Sequence, residues 1–559
     1  MNPTSALNRL AASKTTYGPG CGTARLALVR AVGRARFRTA AQVRLLHELL
    51  CFLHAYPDDA GVFAEVDRQL RAFHQRQDLR RVAGTLVNSG IAGTDIVYPF
   101  GFSTARWLAE RWGDRLTIAW DDLGHAAALD TRLHLFSLWG ERPVFDEPPL
   151  EGRAWLDRLR GRETDAAFVI RRSEAVLSHD LTGDYMYDEL GLTVRVAPGE
   201  TTPRRTGARV TGRAVTGQNR PLRTVRPDLR ADIRVPPRRI RTLGEAQATA
   251  YLDLARASMV TRSRDLYTFT AANLRDARLV DCGDGLEFFL VGVDPEQRLL
   301  FDAVYGILTL RNGVPIGYAL FSALWRSSEV AYNVFETFRG GESAWVYGRM
   351  LATIHALFGA DTFTIDPYQV GHENEEGIES GAWWFYYKLG FLPWDRKTAA
   401  RAAREAARVK QRSGYRTSEA TLRELVRTNL FLQAGPRRRD VLGAIPVDAI
   451  GGQVTDLVVS RFGSDRELAT EALADEAAYR LGGVAWRRLP AGARLFWERW
   501  APVVALLAEI DGWSAAEKRA LVEIIRAKGG RRESDFVARF DAHPHLGAAL
   551  AALARARRA

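Results

Sequence analysis

Apolar residues fall at helical spacing over 39–53, where Val43, Leu45, Leu46, Leu49, Leu50 and Leu53 share a face, and again over 60–73. Residues 97–102 form a short apolar run containing Pro99, and Ser103 is placed to cap a helix through Glu110. Residues 116–120 and 166–170 read as strands. Past 240 the pattern changes: 246–259 is helical, and 288–293 and 304–310 alternate as strands. Asn312-Gly313 between 307–310 and 316–321 is a two-residue hairpin signal. Residues 330–338 then read as a strand, 344–357 as an amphipathic helix, 362–366 as a strand and 378–389 as a helix. After 396 the pattern is almost wholly helical, with segments at 399–410, 418–428, 465–480 and 513–528 and an Ala/Arg-rich tail, 548–559, expected to fray.

This order predicts a mixed α/β protein of five parts. They are a basic tail (1–38), an α+β domain (39–194), an Arg/Pro-rich linker or arm (195–239), a central sheet unit with flanking helices (240–396) and a mostly helical region (397–559). The tail is acid-free and rich in small residues, a composition shared with transit peptides, and is read as a frayed end. No catalytic motif appears in 39–194, and no chemistry is visible after 396. An apolar fraction of 47%, with 14 Trp and 25 Phe in 559 residues, supports packed interiors. No apolar run approaches the ~20 residues of a membrane span. Three widely spaced cysteines (Cys21, Cys51, Cys282) imply a reducing, cytoplasmic setting with neither a disulfide framework nor a metal site.

The net charge of +12 is concentrated. Residues 195–241 hold 13 Arg against Glu200, Asp228 and Asp232, an excess of ten, so the rest of the chain is near neutral. Such an arm fits nucleic-acid phosphates or an acidic face of its own protein. The lack of interleaved aromatic side chains favours the second.

Residues 330–391 carry the one arrangement that points at a chemistry. The strand 330–338 runs into Arg339-Gly340-Gly341-Glu342-Ser343-Ala344, which opens a helix; the strand 362–366 leads on to Gly381-Ala382-Trp383-Trp384-Phe385-Tyr386-Tyr387-Lys388-Leu389-Gly390-Phe391. A glycine-rich turn at a helix start leaves backbone N–H groups free where the helix dipole is positive, which suits a pyrophosphate. Arg339 adds charge-assisted hydrogen bonds.

With Val334 five residues before Arg339, the first string is similar to Val-x-x-x-x-Arg-Gly-x-Gly-x-Gly/Ala, with Glu342 in place of a glycine. The second is similar to Asn-x-x-Ala-x-x-Phe-Tyr-x-Lys-x-Gly-Phe, with Glu379 in place of the Asn. On these strings residues 240–396 resemble the GNAT superfamily of acyl-CoA-dependent N-acyltransferases. The resemblance implies an acyl-CoA co-substrate, acetyl-CoA foremost, and a small-molecule or peptide amine as acceptor. It implies Tyr386 as the general acid on the departing thiolate and a carboxylate as base, with Glu336 placed first and Glu329 second. Val334, Phe335, Arg339, Gly340, Gly341, Ser343 and Ala344 would hold the cofactor, with a backbone N–H near Phe335 polarising the thioester carbonyl. The pantetheine arm would enter like an added strand where the two strands part beyond Phe338.

Two other readings stand beside it. Glu342 and Glu379 both oppose a polyanion, which fits a catalytically silent GNAT-like fold used for binding. Association with nucleic acid through 195–241 is the third. Trp383 and Trp384 read as core, His372-Glu373-Asn374-Glu375-Glu376 as a solvated acidic loop, and His543-Pro544-His545 as a pair without a third metal ligand.

Overall fold

A computed structural model describes residues 2–123, 129, 132–141, 150, 152–177 and 181–556. It contains a small and a large sheet. The small one has three antiparallel strands, β1 (Ile96–Tyr98), β2 (Leu116–Ile118) and β3 (Val194–Val196), in the order β1-β3-β2. The large one has nine: β4 (Arg239–Thr242), β5 (Ala272–Gly283), β6 (Leu286–Val293), β7 (Ala303–Arg311), β8 (Val314–Leu324), β9 (Ser327–Val334), β10 (Thr362–Ile365), β11 (Leu392–Pro393) and β12 (Leu430–Gln433). Their order is β11-β12-β10-β9-β8-β7-β6-β5-β4. Every neighbouring pair is antiparallel except β9 and β10, which run parallel because the helix Ser343–Phe358 crosses over between them.

The meander β5–β8 is the rigid centre. All eight residues of β6 are buried, so 288–293 does not alternate as expected but runs apolar throughout: helices cover the sheet on both faces. The hairpin expected at Asn312-Gly313 forms, with φ of 51° and 77° at the two positions. A Cβ on Gly313 would also lie 2.7 Å from the Val210 carbonyl oxygen, so the position needs glycine for space as well as for backbone. One face of the sheet packs on the helix Ser343–Phe358 and on the C-terminal helices, through residues such as Phe321, Val330, Tyr347 and Trp500. The other packs on the helices Pro3–Ala12, Cys21–Arg34, Ala40–Ala55, Ala60–Arg71 and Glu245–Val260, through residues such as Leu308, Tyr318, Leu50 and Leu252.

Several expectations are corrected. The first 38 residues are no frayed tail: Leu7, Leu10, Val29 and Val32 are buried in the core, and Arg25 pairs with Asp58 at 2.6 Å, both nearly solvent-free. Residues 166–170 are helical, within Asp165–Val176, where Thr164 caps the start and Ala166, Val169, Ile170 and Ser173 turn inward. A short apolar run fits either element, and here the inward spacing is that of a helix. Residues 378–389 are two helices, Glu375–Ser380 and Ala382–Lys388, parted by Gly381 at φ +66°. The helical region after 396 supplies β12, which lies between β10 and β11, so the sheet is not complete at 396. The end of the chain is the helix Leu546–Arg555 with Leu546, Leu550 and Ala554 buried; residues 557–559 of the expected tail lie outside the described residues.

The arginine-rich arm lies on the protein's own carboxylates. Arg205 reaches Glu48 (2.8 Å), Arg213 reaches Glu287 (3.0 Å) and Arg223 reaches Asp284 (2.5 Å). Backbone bonds from Val210 to Gly313 (2.9 Å) and from Gln218 to Pro57 (2.6 Å) fix its course. Among the described residues no helix is long and apolar enough to cross a membrane.

Candidate functional site

The parallel junction is where regular pairing stops. β9 and β10 pair from Ser327↔Thr362 to Glu329↔Thr364, and β10 then ends at Ile365, with Asp366 capping the next turn. β9 runs on to Val334, still paired to β8 on its other edge. Residues 330–334 therefore form an edge of β9 with no strand paired to it. Tyr386, on the helix Ala382–Lys388, is buried against it, and its hydroxyl hydrogen-bonds the Tyr332 backbone. Tyr347 and Phe391 hold the ring edge-on at 5.6 and 5.7 Å. Burial raises the Tyr386 phenol well above its ordinary value, so it keeps its proton at neutral pH.

Glu336 is not where a base is needed. The strand expected over 330–338 stops at Val334, and Glu336 opens the short turn Glu336–Phe338, its side chain 78% exposed and 3.6 Å from Arg44. Phe335 is corrected as well: its N–H donates to the Ile316 carbonyl at 3.0 Å and is not free for a thioester oxygen. Val334 packs into the core beneath the N-terminal helices.

The base-like group is Glu329, the last residue of β9 paired to β10. It lies across from Ser322 of β8, on the face occupied by Tyr318 and the N-terminal core. Tyr332, three residues on, projects to the other face and packs 5.2 Å from Tyr347. Burial, then the nearby Asp366 and Asp302, push the Glu329 carboxyl up to about 7. Where the β9–β10 pairing ends, a phenol held above its ordinary pKa thus lies on one face and a carboxyl raised to about 7 on the other. Sequence alone ranked Glu329 below Glu336 because the end of pairing, which singles it out, leaves no mark in local composition.

The turn after β9 also differs from expectation. Gly340 has φ +84°, and Ser343 starts the helix Ser343–Phe358, with Ala344 in its first turn. Glu342 points inward, its side chain 1% exposed. It accepts the Arg223 N–H at 3.1 Å and faces the guanidinium groups of Arg311 at 3.5 Å and Arg223 at 3.6 Å. Arg223 in turn stacks 4.1 Å above Trp345. The carboxylate is therefore paired to two cations beneath the turn and adds no uncompensated negative charge above it. Arg339 sits at the surface of the turn, 2.9 Å from Glu376.

Two cavities open beside this turn. One, of about 200 Å³, lies between the starts of the two helices and is lined by Ala344, Trp384, Phe385, Arg226 and Lys388. The other, of about 250 Å³, is walled by Arg44, Arg205, Arg262, Arg264 and Arg339, with Glu336 and Glu376. Arg262 there stacks 3.6 Å from the Phe335 ring, and burial lowers its guanidinium well below the ordinary value. Both cavities favour an anion.

Other candidates are spent on structure. Glu376 pairs with Arg264 and Arg339, and Glu375 with Arg423. His543 accepts the N–H groups of His545 and Leu546, and its other nitrogen lies 3.1 Å from the Glu517 carbonyl. Trp383 is buried and stacks on Tyr387 at 4.8 Å; Trp384 donates to Thr417. Cys51 lies 3.6 Å from His47 Nε2, and Glu48 3.9 Å from His47 Nδ1. Burial alone would lower His47, but Cys51 and Glu48 outweigh it and hold it at about 9. The cavity that Cys51 lines is about 10 Å³, too little for a substrate. Among the described residues no cluster suited to a metal ion is found.

No family model, curated protein or solved structure matches this chain.

Proposed function

We propose that the protein is an N-acyltransferase of the GNAT type, moving an acyl group from acyl-CoA to an amine. The observation that carries this reading is the point where β9 and β10 stop pairing, with the Tyr386 hydroxyl on one face and Glu329 on the other. The strand order, with one parallel junction bridged by the helix Ser343–Phe358, supports it. So does the inward pairing of Glu342, which removes the charge objection to an anion at the turn.

In the proposed reaction the thioester lies along 330–334, its pantetheine arm bonding β9 as an added strand would. The phosphates sit over the turn at Gly340, Gly341, Ser343 and Ala344, near Arg339. The acceptor approaches from the Glu329 face. Glu329 takes the ammonium proton and passes it to solvent, the nitrogen lone pair attacks the thioester carbonyl, Glu329 then takes the second proton that the nitrogen sheds, and the C–S bond breaks as the C–N bond forms. Tyr386 gives its proton to the leaving thiolate and regains one from solvent.

Acetyl-CoA turnover with a panel of amines, followed by free thiol release, tests the reading. Tyr386→Phe should lower kcat by ~10²–10⁴-fold with KM for acetyl-CoA little changed. Equal turnover in the variant would overturn the assigned acid. A second reading, a silent fold that binds CoA without transfer, is favoured by the Phe335 N–H being spent on Ile316. It predicts acetyl-CoA binding with no thiol release from any amine.

A further inference from the structure

The arginine cavity of about 250 Å³ draws its charge from four separate parts of the chain. Arg44 comes from the helix Ala40–Ala55, Arg205 from the arm, Arg262 and Arg264 from the turn that ends the helix Glu245–Val260, and Arg339 from the turn after β9. No run of basic sequence accounts for this; the fold gathers it. Glu336 and Glu376 also line the cavity, which leaves an excess of three positive charges, or two once Glu48, the partner of Arg205, is counted.

Four of the five arginines have a carboxylate. Arg44 lies 3.6 Å from Glu336, Arg205 lies 2.8 Å from Glu48, and Arg264 and Arg339 share Glu376 at 3.1 and 2.9 Å. Arg262 has none among the described residues. Its Nη1 donates to the Ser258 carbonyl at 2.8 Å and to the Thr261 hydroxyl at 3.3 Å, while Nε and Nη2 donate to no described residue. That edge, Nε with Nη2, is the fork by which a guanidinium grips an oxyanion with two parallel bonds.

The fork is held in place. The guanidinium carbon lies 3.6 Å from the centre of the Phe335 ring. Ser263, between Arg262 and Arg264, has φ +51°, where glycine is usual, and the Arg264 N–H closes the turn on the Met259 carbonyl at 3.2 Å. Burial first, then the charge of Arg205, lower Arg262; Glu48 and Cys51 oppose this and Arg264 adds to it. Arg205, its side chain only 11% exposed, also leaves its Nε buried without a hydrogen-bond partner. Cations crowded in this way, one of them with no carboxylate, call for an anion from outside.

We propose that this cavity binds a small dianionic oxyanion, inorganic phosphate or a small phosphate monoester, gripped by the Nε–Nη2 edge of Arg262 within the field of Arg44, Arg205, Arg264 and Arg339. The excess charge matches a dianion. The volume falls below the ~300–1,000 Å³ of sites for larger organic ligands, so the occupant is small. Glu336 and Glu376, with side chains 78% and 49% exposed, stand at the surface and repel a long polyanion such as a nucleic-acid backbone. The inference does not rest on acyl transfer, although the cavity shares Arg339 with the glycine turn.

Isothermal titration of the full chain with inorganic phosphate and with glycerol 3-phosphate, at constant ionic strength, tests it. Saturable binding of one ligand per chain is expected, with the tighter of the two telling the free ion from the ester. Arg262→Met should weaken binding at least ~10-fold, and Arg262→Lys, which keeps the charge and loses the fork, ~3–10-fold. Arg262→Met strands no carboxylate, so its melting temperature without ligand should stay near wild type. Arg44→Ala, at a half-exposed surface position, tests the field apart from folding and should weaken binding ~2–5-fold. No saturable binding at millimolar concentration, wild-type affinity in Arg262→Met and Arg44→Ala, acetate binding as tightly as phosphate, or stoichiometric displacement of phosphate by acetyl-CoA would each overturn the proposal.

Discussion

Glu342→Gln is the most informative single change, because the sequence gives this residue one meaning and the structure another. If Glu342 were only the relic of a broken phosphate turn, neutralising it would relieve repulsion and cost nothing. In the structure its side chain is 1% exposed, and it faces Arg311, itself only 3% exposed, at 3.5 Å. Breaking a buried pair by removing one partner costs ~3–5 kcal/mol, mainly because the other charge stays buried. Arg223 contributes less: it is 43% exposed and keeps Asp284, so its share falls in the ~0–1 kcal/mol range of exposed pairs. Glutamine can still accept the Arg223 N–H. The expected loss is therefore ~3 kcal/mol, carried by Arg311. Urea unfolding monitored by tryptophan fluorescence reads the size. Hydrogen exchange reads the place, which should be the arm around Arg223 and the start of the helix Ser343–Phe358. Glu342→Gln combined with Arg311→Met should recover part of the loss. A cost below ~1 kcal/mol, with exchange around Arg223 unchanged, would refute the inward staple.

Glu329→Gln should abolish the acid limb of the rate profile: kcat/KM of the wild type rises through pH about 7, where burial and the charges of Asp366 and Asp302 place this carboxyl. The folded state also holds that proton more tightly than the unfolded chain, so the protonated form's stabilising contribution is lost as pH climbs from 4.5 to about 7, and the variant should flatten that slope in melting experiments. Lys528→Met should destabilise the protein by ~3 kcal/mol in denaturant titration, because it removes the nearest counter-charge of buried Glu533, leaving Arg298 at 3.8 Å, and the bonds Lys528 makes to the Phe301 and Asp302 carbonyls. Gly313→Ala should cost more than ~1 kcal/mol in denaturant titration, since the added Cβ meets the Val210 carbonyl and φ is positive.

The sheet's centre was legible from its apolar strand runs and one hairpin pair, because β7 and β8 join at Asn312-Gly313 and β6–β8 are covered on both faces. β12 was not: Leu430–Gln433 is four residues long, lies within helical surroundings and gains its identity from pairing with Thr362–Ile365, some 70 residues away. Helix and strand were confused at 166–170, where a short apolar run carries no period of its own. At the site, Tyr386 and the glycine turn were visible as a spaced string. The direction of Glu342 was not, since it is set by Arg223 from the arm and Arg311 from β7. Glu329 depended on where a parallel pairing ends, a property of two strands more than thirty residues apart. The arm's partners, Glu48, Asp284 and Glu287, are likewise scattered, so only its charge and not its course could be read.

The central claim is that acyl-CoA enters between β9 and β10. Hydrogen exchange of the full chain with and without saturating acetyl-CoA tests it most directly. The account predicts slowed exchange in two segments together, 330–334 and 340–346. Millimolar acetyl-CoA leaving both segments unchanged, or protecting only the arginine cavity around Arg262, would contradict it.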